Sequence, residues 1–121
     1  MVFVRFFTAA DGAMCLQVRG HAGAGRRGRD PVCAGVSTVC RGLGRAAELL
    51  GEAGLLAQPP RVRLNGGRAE IAALPCPACR AETALVFWTA EVALHALAEA
   101  YPRNVTLEGV LQLERREENG K

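Results

Sequence analysis

Arg19-Gly20-His21, then Ala-Gly-Ala-Gly-Arg-Arg-Gly-Arg over residues 22–29, then Asp30-Pro31-Val32-Cys33: within these fifteen residues a strand ends and a helix begins. Asp30 suits an N-cap and Pro31 the first helical position, which puts Cys33 third in the helix. A sulfur seated there feels the positive end of the helix dipole, which favours negative charge on it. His21 lies one loop away, and a histidine within reach of such a thiol is the minimum equipment for a cysteine nucleophile with its general base. The loop is small and flexible enough to bring the imidazole within the ~3–4 Å that proton transfer needs. Backbone amides at the helix start, that of Cys33 among them, are then expected to hold an oxyanion. The bland alternative is a capped helix with a buried thiol and a turn histidine that happens to be near. Asp30 either orients His21 or caps the helix, and its position favours the cap.

On the N-terminal side, Val2–Thr8 alternates, Asp11-Gly12 marks a turn, and Met14, Leu16 and Val18 face away from Cys15, Gln17 and Arg19. That is a hairpin, and it predicts Cys15 to be half-exposed or covered by a partner. On the C-terminal side the pattern turns helical from Pro31 to about Ala53. Val32, Val36, Val39, Leu43, Ala46 and Leu50 form the core stripe; Arg41, Arg45, Glu48 and Glu52 form the solvent stripe. Cys33, Ser37 and Cys40 run along the edge of the apolar face, with Ser37 one turn beyond Cys33. Gly35, Gly42 and Gly44 each cost about 1 kcal/mol of helix propensity, which predicts close approach by the sheet or by a second subunit.

A second hairpin follows, Arg61–Leu64 and Arg68–Leu74 around Asn65-Gly66-Gly67. A second helix is expected from about Pro77 to Tyr101, with Leu85, Trp88 and Val92 buried and Leu97 and Tyr101 nearby. Val105 to Glu114 alternates as a last strand, and Glu117–Lys121 is a polar tail. The order strand-strand-helix-strand-strand-helix-strand implies an α+β fold, a two-layer sandwich, in one domain over residues 1–121. The central loop and the first helix start should meet at one edge of the sheet.

Composition narrows the function. Half the residues are apolar and 22% charged, as in ordinary globular chains. The apolar run at 84–98 is broken by Glu91 and His95, so no membrane span is available, and the alternating N-terminus lacks a signal-peptide core. The reading is cytoplasmic, with the five cysteines as reduced thiols. The formal charge of +3 is spread along the chain except at Arg26, Arg27 and Arg29, and few aromatics accompany the arginines, so nucleic acid is not a required partner. Cys76-Pro77-Ala78-Cys79 sits where redox motifs sit, but no second Cys-x-x-Cys completes a zinc site and too few elements follow for a thioredoxin fold. His95, between Glu91 and Glu99, reads as a hydrated helix face, and Cys40 as core.

Gly20-His21-Ala22, followed by Asp30, Val32-Cys33-Ala34-Gly35 and Ser37, resembles the bacterial ribosomal-processing cysteine proteases, the Prp-like family. The resemblance implies His21 as base and Cys33 as nucleophile, with Gly20, Asp30 and Ser37 in supporting positions and Gly20 letting the histidine loop move. It implies a small cytoplasmic homodimer, without metal or organic cofactor. Such a protein trims the N-terminal extension of large-subunit ribosomal protein number twenty-seven during ribosome assembly. Arg26, Arg27 and Arg29 would then face substrate. Pro31 departs from the family's aliphatic residue, and the Cys76/Cys79 pair is not a family feature. Two other readings stay open: a non-catalytic RNA- or ribosome-associated assembly factor using the loop arginines, and a thiol-disulfide protein using Cys76 and Cys79.

Overall fold

The computed structural model describes residues 1–26 and 28–108. Strands β1 (Val2–Thr8) and β2 (Met14–Gly20) form the first hairpin, helix α1 (Pro31–Glu52) follows, and β3 (Arg61–Asn65) and β4 (Arg68–Ala73) form the second hairpin. A short 3-10 turn (Pro77–Cys79) leads into α2 (Arg80–Ala100), and β5 (Val105–Glu108) completes the sheet. The expected α+β order is the observed one. The part of the last alternating run beyond Glu108, like Arg27, lies outside the described residues.

The sheet order is β3-β4-β2-β1-β5. β2 pairs antiparallel with both β1 and β4, whereas β5 runs parallel to β1. Each helix therefore links two parallel strands, α1 passing over β4 and α2 over β2 and β1. The two crossovers leave antiparallel strands and travel in opposite directions, so connections of one hand deposit both helices on the same face. The other face of the sheet stays open. β2 is the middle strand, so His21 follows the end of a central strand rather than a lateral edge.

Alternation decides what fills the core. Val2, Val4 and Phe6 of β1, Leu16 and Val18 of β2, and Ile71 and Ala73 of β4 point under the helices. They meet Val32, Val36, Cys40 and Leu43 of α1 and Phe87 and Leu94 of α2. Burying each larger side chain of this set stabilises the fold by about 1.5–3 kcal/mol. The core role expected of Cys40 holds. Its neighbours on α1 shift, because Gly44 and Ala47 are buried while Val39, Ala46 and Leu50 are only half-buried. The helix lies slightly rotated toward its glycine side: a Cβ on Gly44 would stand 2.9 Å from Val62 Cγ1, and one on Gly35 3.3 Å from Leu97 Cδ2. Side chains of β3 and α2 make these close approaches, and Gly42 faces open space.

Three further expectations are corrected. On α2 the buried residues are Thr83, Phe87, Ala90, Glu91 and Leu94, whereas Leu85, Trp88, Val92 and Tyr101 are exposed. Apolar residues occupy nearly the whole circumference of this helix, so periodicity alone does not select the face; the sheet takes the stripe that carries Phe87 and Leu94. Glu91 is accordingly not on a hydrated face, although His95 is exposed as expected, with its Nε2 3.9 Å from Glu91 Oε2. Cys15 is buried, because on a middle strand it is flanked in register by Phe7 and Ala72.

Candidate active site

Asp30 builds the site from both directions. Its Oδ1 accepts from the amides of Val32 (2.9 Å) and Cys33 (3.0 Å), closing the first turn of α1, and its Oδ2 accepts from the Ala24 amide at 2.9 Å, drawing the glycine-rich loop back over the helix start. These donors, the Cys33 amide foremost, hold its carboxyl below the ordinary carboxylate value. Capping is thus the role the geometry gives Asp30. The Cys33 amide is occupied by that cap, so the expectation that it is free for an oxyanion is corrected.

With the loop folded back, the Ala22 amide reaches the Cys33 sulfur at 3.3 Å. Ala22 is itself fixed: it is buried, and its carbonyl accepts from Asn104 Nδ2 at 2.8 Å. His21 and Cys33 line one cavity of about 220 Å³ together with Gly20 and Ser37, its far wall formed by the β3–β4 turn. That turn supports the imidazole closely, since a Cβ on Gly67 would stand 2.8 Å from His21 Nε2. Gly67 adopts φ +75°, and its carbonyl accepts the Gly20 amide at 2.8 Å. Gly20 is confined to glycine for a different reason than loop movement: at φ +100° a Cβ there would run into the Met1 carbonyl oxygen.

The cavity therefore brings together His21, Cys33, Gly20 and Ser37, with Asp30 just beneath. Arg26 and Arg29 are exposed and do not line it. Cys76 and Cys79 lie at the other helix start, both as free thiols, and line none of it. Burial, with the Glu82 carboxylate and Cys76 nearby, pushes the Cys79 thiol up rather than toward a thiolate. Sequence reasoning missed Ala22, Asn104 and Gly67. Ala22 and Asn104 act through main-chain groups or a contact 82 residues apart, and the Gly67 signal was absorbed by its hairpin turn.

Here the comparisons with known proteins converge. The sequence signature of the family described as "Cysteine protease Prp" matches residues 1–106, and the chain belongs to that family of cysteine proteases. The chain is similar to the ribosomal processing protease Prp of S. aureus in complex with a covalently linked product peptide, at 28% identity and TM-score 0.70 over 91% of this chain and 100% of that one. The S. aureus protease with a substrate peptide gives 26% identity and TM-score 0.64 over 91% of this chain and 100% of that one. SMU.848 from Streptococcus mutans gives 27% identity and TM-score 0.64 over 90% and 93%. A comparison with curated proteins finds no match.

Proposed function

We propose that this cysteine protease trims the N-terminal extension of a ribosomal protein, large-subunit protein number twenty-seven, in the cytoplasm, with Cys33 as nucleophile and His21 as general base. The observation that carries the reading is the seat of the Cys33 sulfur: helix start beneath it, the Ala22 amide 3.3 Å away, and His21 on the wall of the same cavity. The S. aureus relatives, seen with substrate and product peptides, support the substrate class.

In this reading the imidazole takes the thiol proton and the sulfur attacks the scissile carbonyl carbon. The oxygen becomes an oxyanion beside the Ala22 N–H, which turns from the sulfur to the developing charge. As the C–N bond breaks, the imidazolium returns its proton to the leaving amine and a thioester remains. Water then attacks the thioester, His21 takes the water's proton, and the C–S bond breaks to release the acid and the thiol. The glycine-rich loop closes over bound peptide. The exposed apolar face of α2, with Leu85, Trp88 and Val92, supports a homodimer. The test is cleavage of a peptide spanning the extension junction. Wild type should cleave it and Cys33→Ala should not; cleavage retained by Cys33→Ala overturns the assignment. Light scattering on the same preparation should give twice the 12.8 kDa chain mass, and a monomer would remove the dimer.

A further inference from the structure

The two layers of the molecule carry opposite charge. The described faces of α1 and α2 hold Arg41, Arg45 and Arg80 against Glu48, Glu52, Glu82 and Glu99. The open face of the sheet holds Arg5, Arg19, Arg61, Arg63 and Arg68 against Glu70 and Glu108. All five of these arginines are exposed, and among the described residues none forms an ion pair, whereas Arg45 on the helix side reaches both Glu48 and Glu52. Along the sequence few aromatics accompany the arginines, and nucleic acid is not a required partner. Folding changes that count locally. Phe3 and Phe7 stand on this same face, Phe3 43% exposed, with the Arg19 guanidinium 4.8 Å from the Phe3 ring centre and the Arg5 guanidinium 4.4 Å from that of Phe7.

We infer that the open sheet face binds single-stranded RNA. Two guanidinium-backed rings four residues apart on β1, roughly 13 Å at strand rise, offer flat surfaces on which two unstacked bases of one strand, with a nucleotide between them, can lie. The unpaired arginines around them supply the phosphate contacts. A groove of about 630 Å³ runs over this surface past Phe3, Arg5, Arg19 and Thr106. The protease cavity opens on the helix side of the sheet, so peptide and RNA lie mainly on opposite faces and meet at Arg68, which lines both the cavity and the groove. A duplex fits this surface less well, because its bases are already stacked on one another. An acidic peptide would use the arginines and leave the rings idle.

The test is fluorescence anisotropy of the full chain with a labelled single-stranded RNA of mixed sequence, about fifteen nucleotides long, within the site sizes of such platforms. Binding should weaken as salt rises, with a log–log slope of about −0.7 for each phosphate neutralised. Phe3→Ala, and separately Arg5→Gln with Arg19→Gln, should each weaken binding about tenfold, while peptide cleavage and the melting temperature stay at wild-type values. Arg26→Gln with Arg29→Gln should leave RNA affinity unchanged. The inference is overturned if no RNA binds at about 50 mM salt. It is equally overturned if polyglutamate competes as well as RNA, or if Phe3→Ala binds normally. If the Arg5/Arg19 variant instead changes the mass by light scattering, the face holds a second copy and the inference fails.

Discussion

The two helical segments start alike. Each follows a hairpin, each has a proline at the first position, Pro31 and Pro77, and each carries a cysteine two residues later, Cys33 and Cys79. They differ in the residue before the proline. Asp30 offers two oxygens and takes three amides; Cys76 makes no cap hydrogen bond, and its sulfur stands 3.8 Å from the Gly54 carbonyl. The first segment is α-helical from its start, while the second opens as a 3-10 turn. A carboxylate at that one position also draws the preceding loop onto the helix, which puts the Ala22 amide on the sulfur. The two thiols thus differ in what the cap gathers around them, not in their place in the turn.

The largest effect separates the two starts outright. Cys33→Ala should lower kcat/KM for the junction peptide by at least about 10³-fold, whereas Cys76→Ala and Cys79→Ala should stay within about twofold. A loss with Cys79→Ala would make the second start part of the reaction. Gly67→Ala tests the wall behind the histidine. A methyl group there meets His21 and strains a positive φ, so kcat/KM should fall about 10²-fold with the sheet intact by circular dichroism. Unchanged cleavage would show that the ring is not held by this turn.

Asp30→Asn sharpens the role of the cap. Its carbonyl oxygen still accepts from the helix amides, but its NH2 cannot accept from Ala24, so the loop is released while the helix stays capped. Cleavage should drop about tenfold, the lower end of what misplacing a catalytic group costs. The same variant reads out in acid. Because the folded-state carboxyl sits below its ordinary 3.8, the unfolded chain binds the proton more readily, so the stability this group adds is complete above that value and is lost as pH falls through it and on through the lower folded one. Melting curves taken downward from about pH 5 should therefore fall more steeply for wild type than for Asp30→Asn. Parallel curves would deny the carboxylate this part. The smallest effect is an order of labelling. In native protein an alkylating reagent should modify Cys33 first and Cys40 last, since burial pushes the Cys40 thiol up to about 11 and leaves little thiolate near neutral pH. Early labelling of Cys79 would contradict the upward push from burial and Glu82.

Much of the fold was legible because the hydrophobic period switches cleanly at Asp30, and Asn65-Gly66-Gly67 marks its own hairpin. The face of α2 was not legible. Leu85, Val86, Phe87 and Trp88 are consecutive apolar residues, and only the position of the sheet selects Phe87 over its neighbours. Within the site, Asp30 and Cys33 could be read because capping is local chemistry, and His21 because a short loop joins it to them. The Ala22 amide is a main-chain group with no side-chain signature. Asn104 acts across 82 residues of sequence, and Gly67 looks in the sequence like any turn glycine.

The bond from Asn104 to Ala22 sets a schedule for synthesis. Ala22, whose amide meets the sulfur, is held through its own carbonyl by Asn104, four positions before β5 ends at Glu108. During translation, 82 residues must be added after Ala22 before that anchor exists. A nascent copy that has not yet reached Asn104 therefore exposes its sulfur without the completed seat.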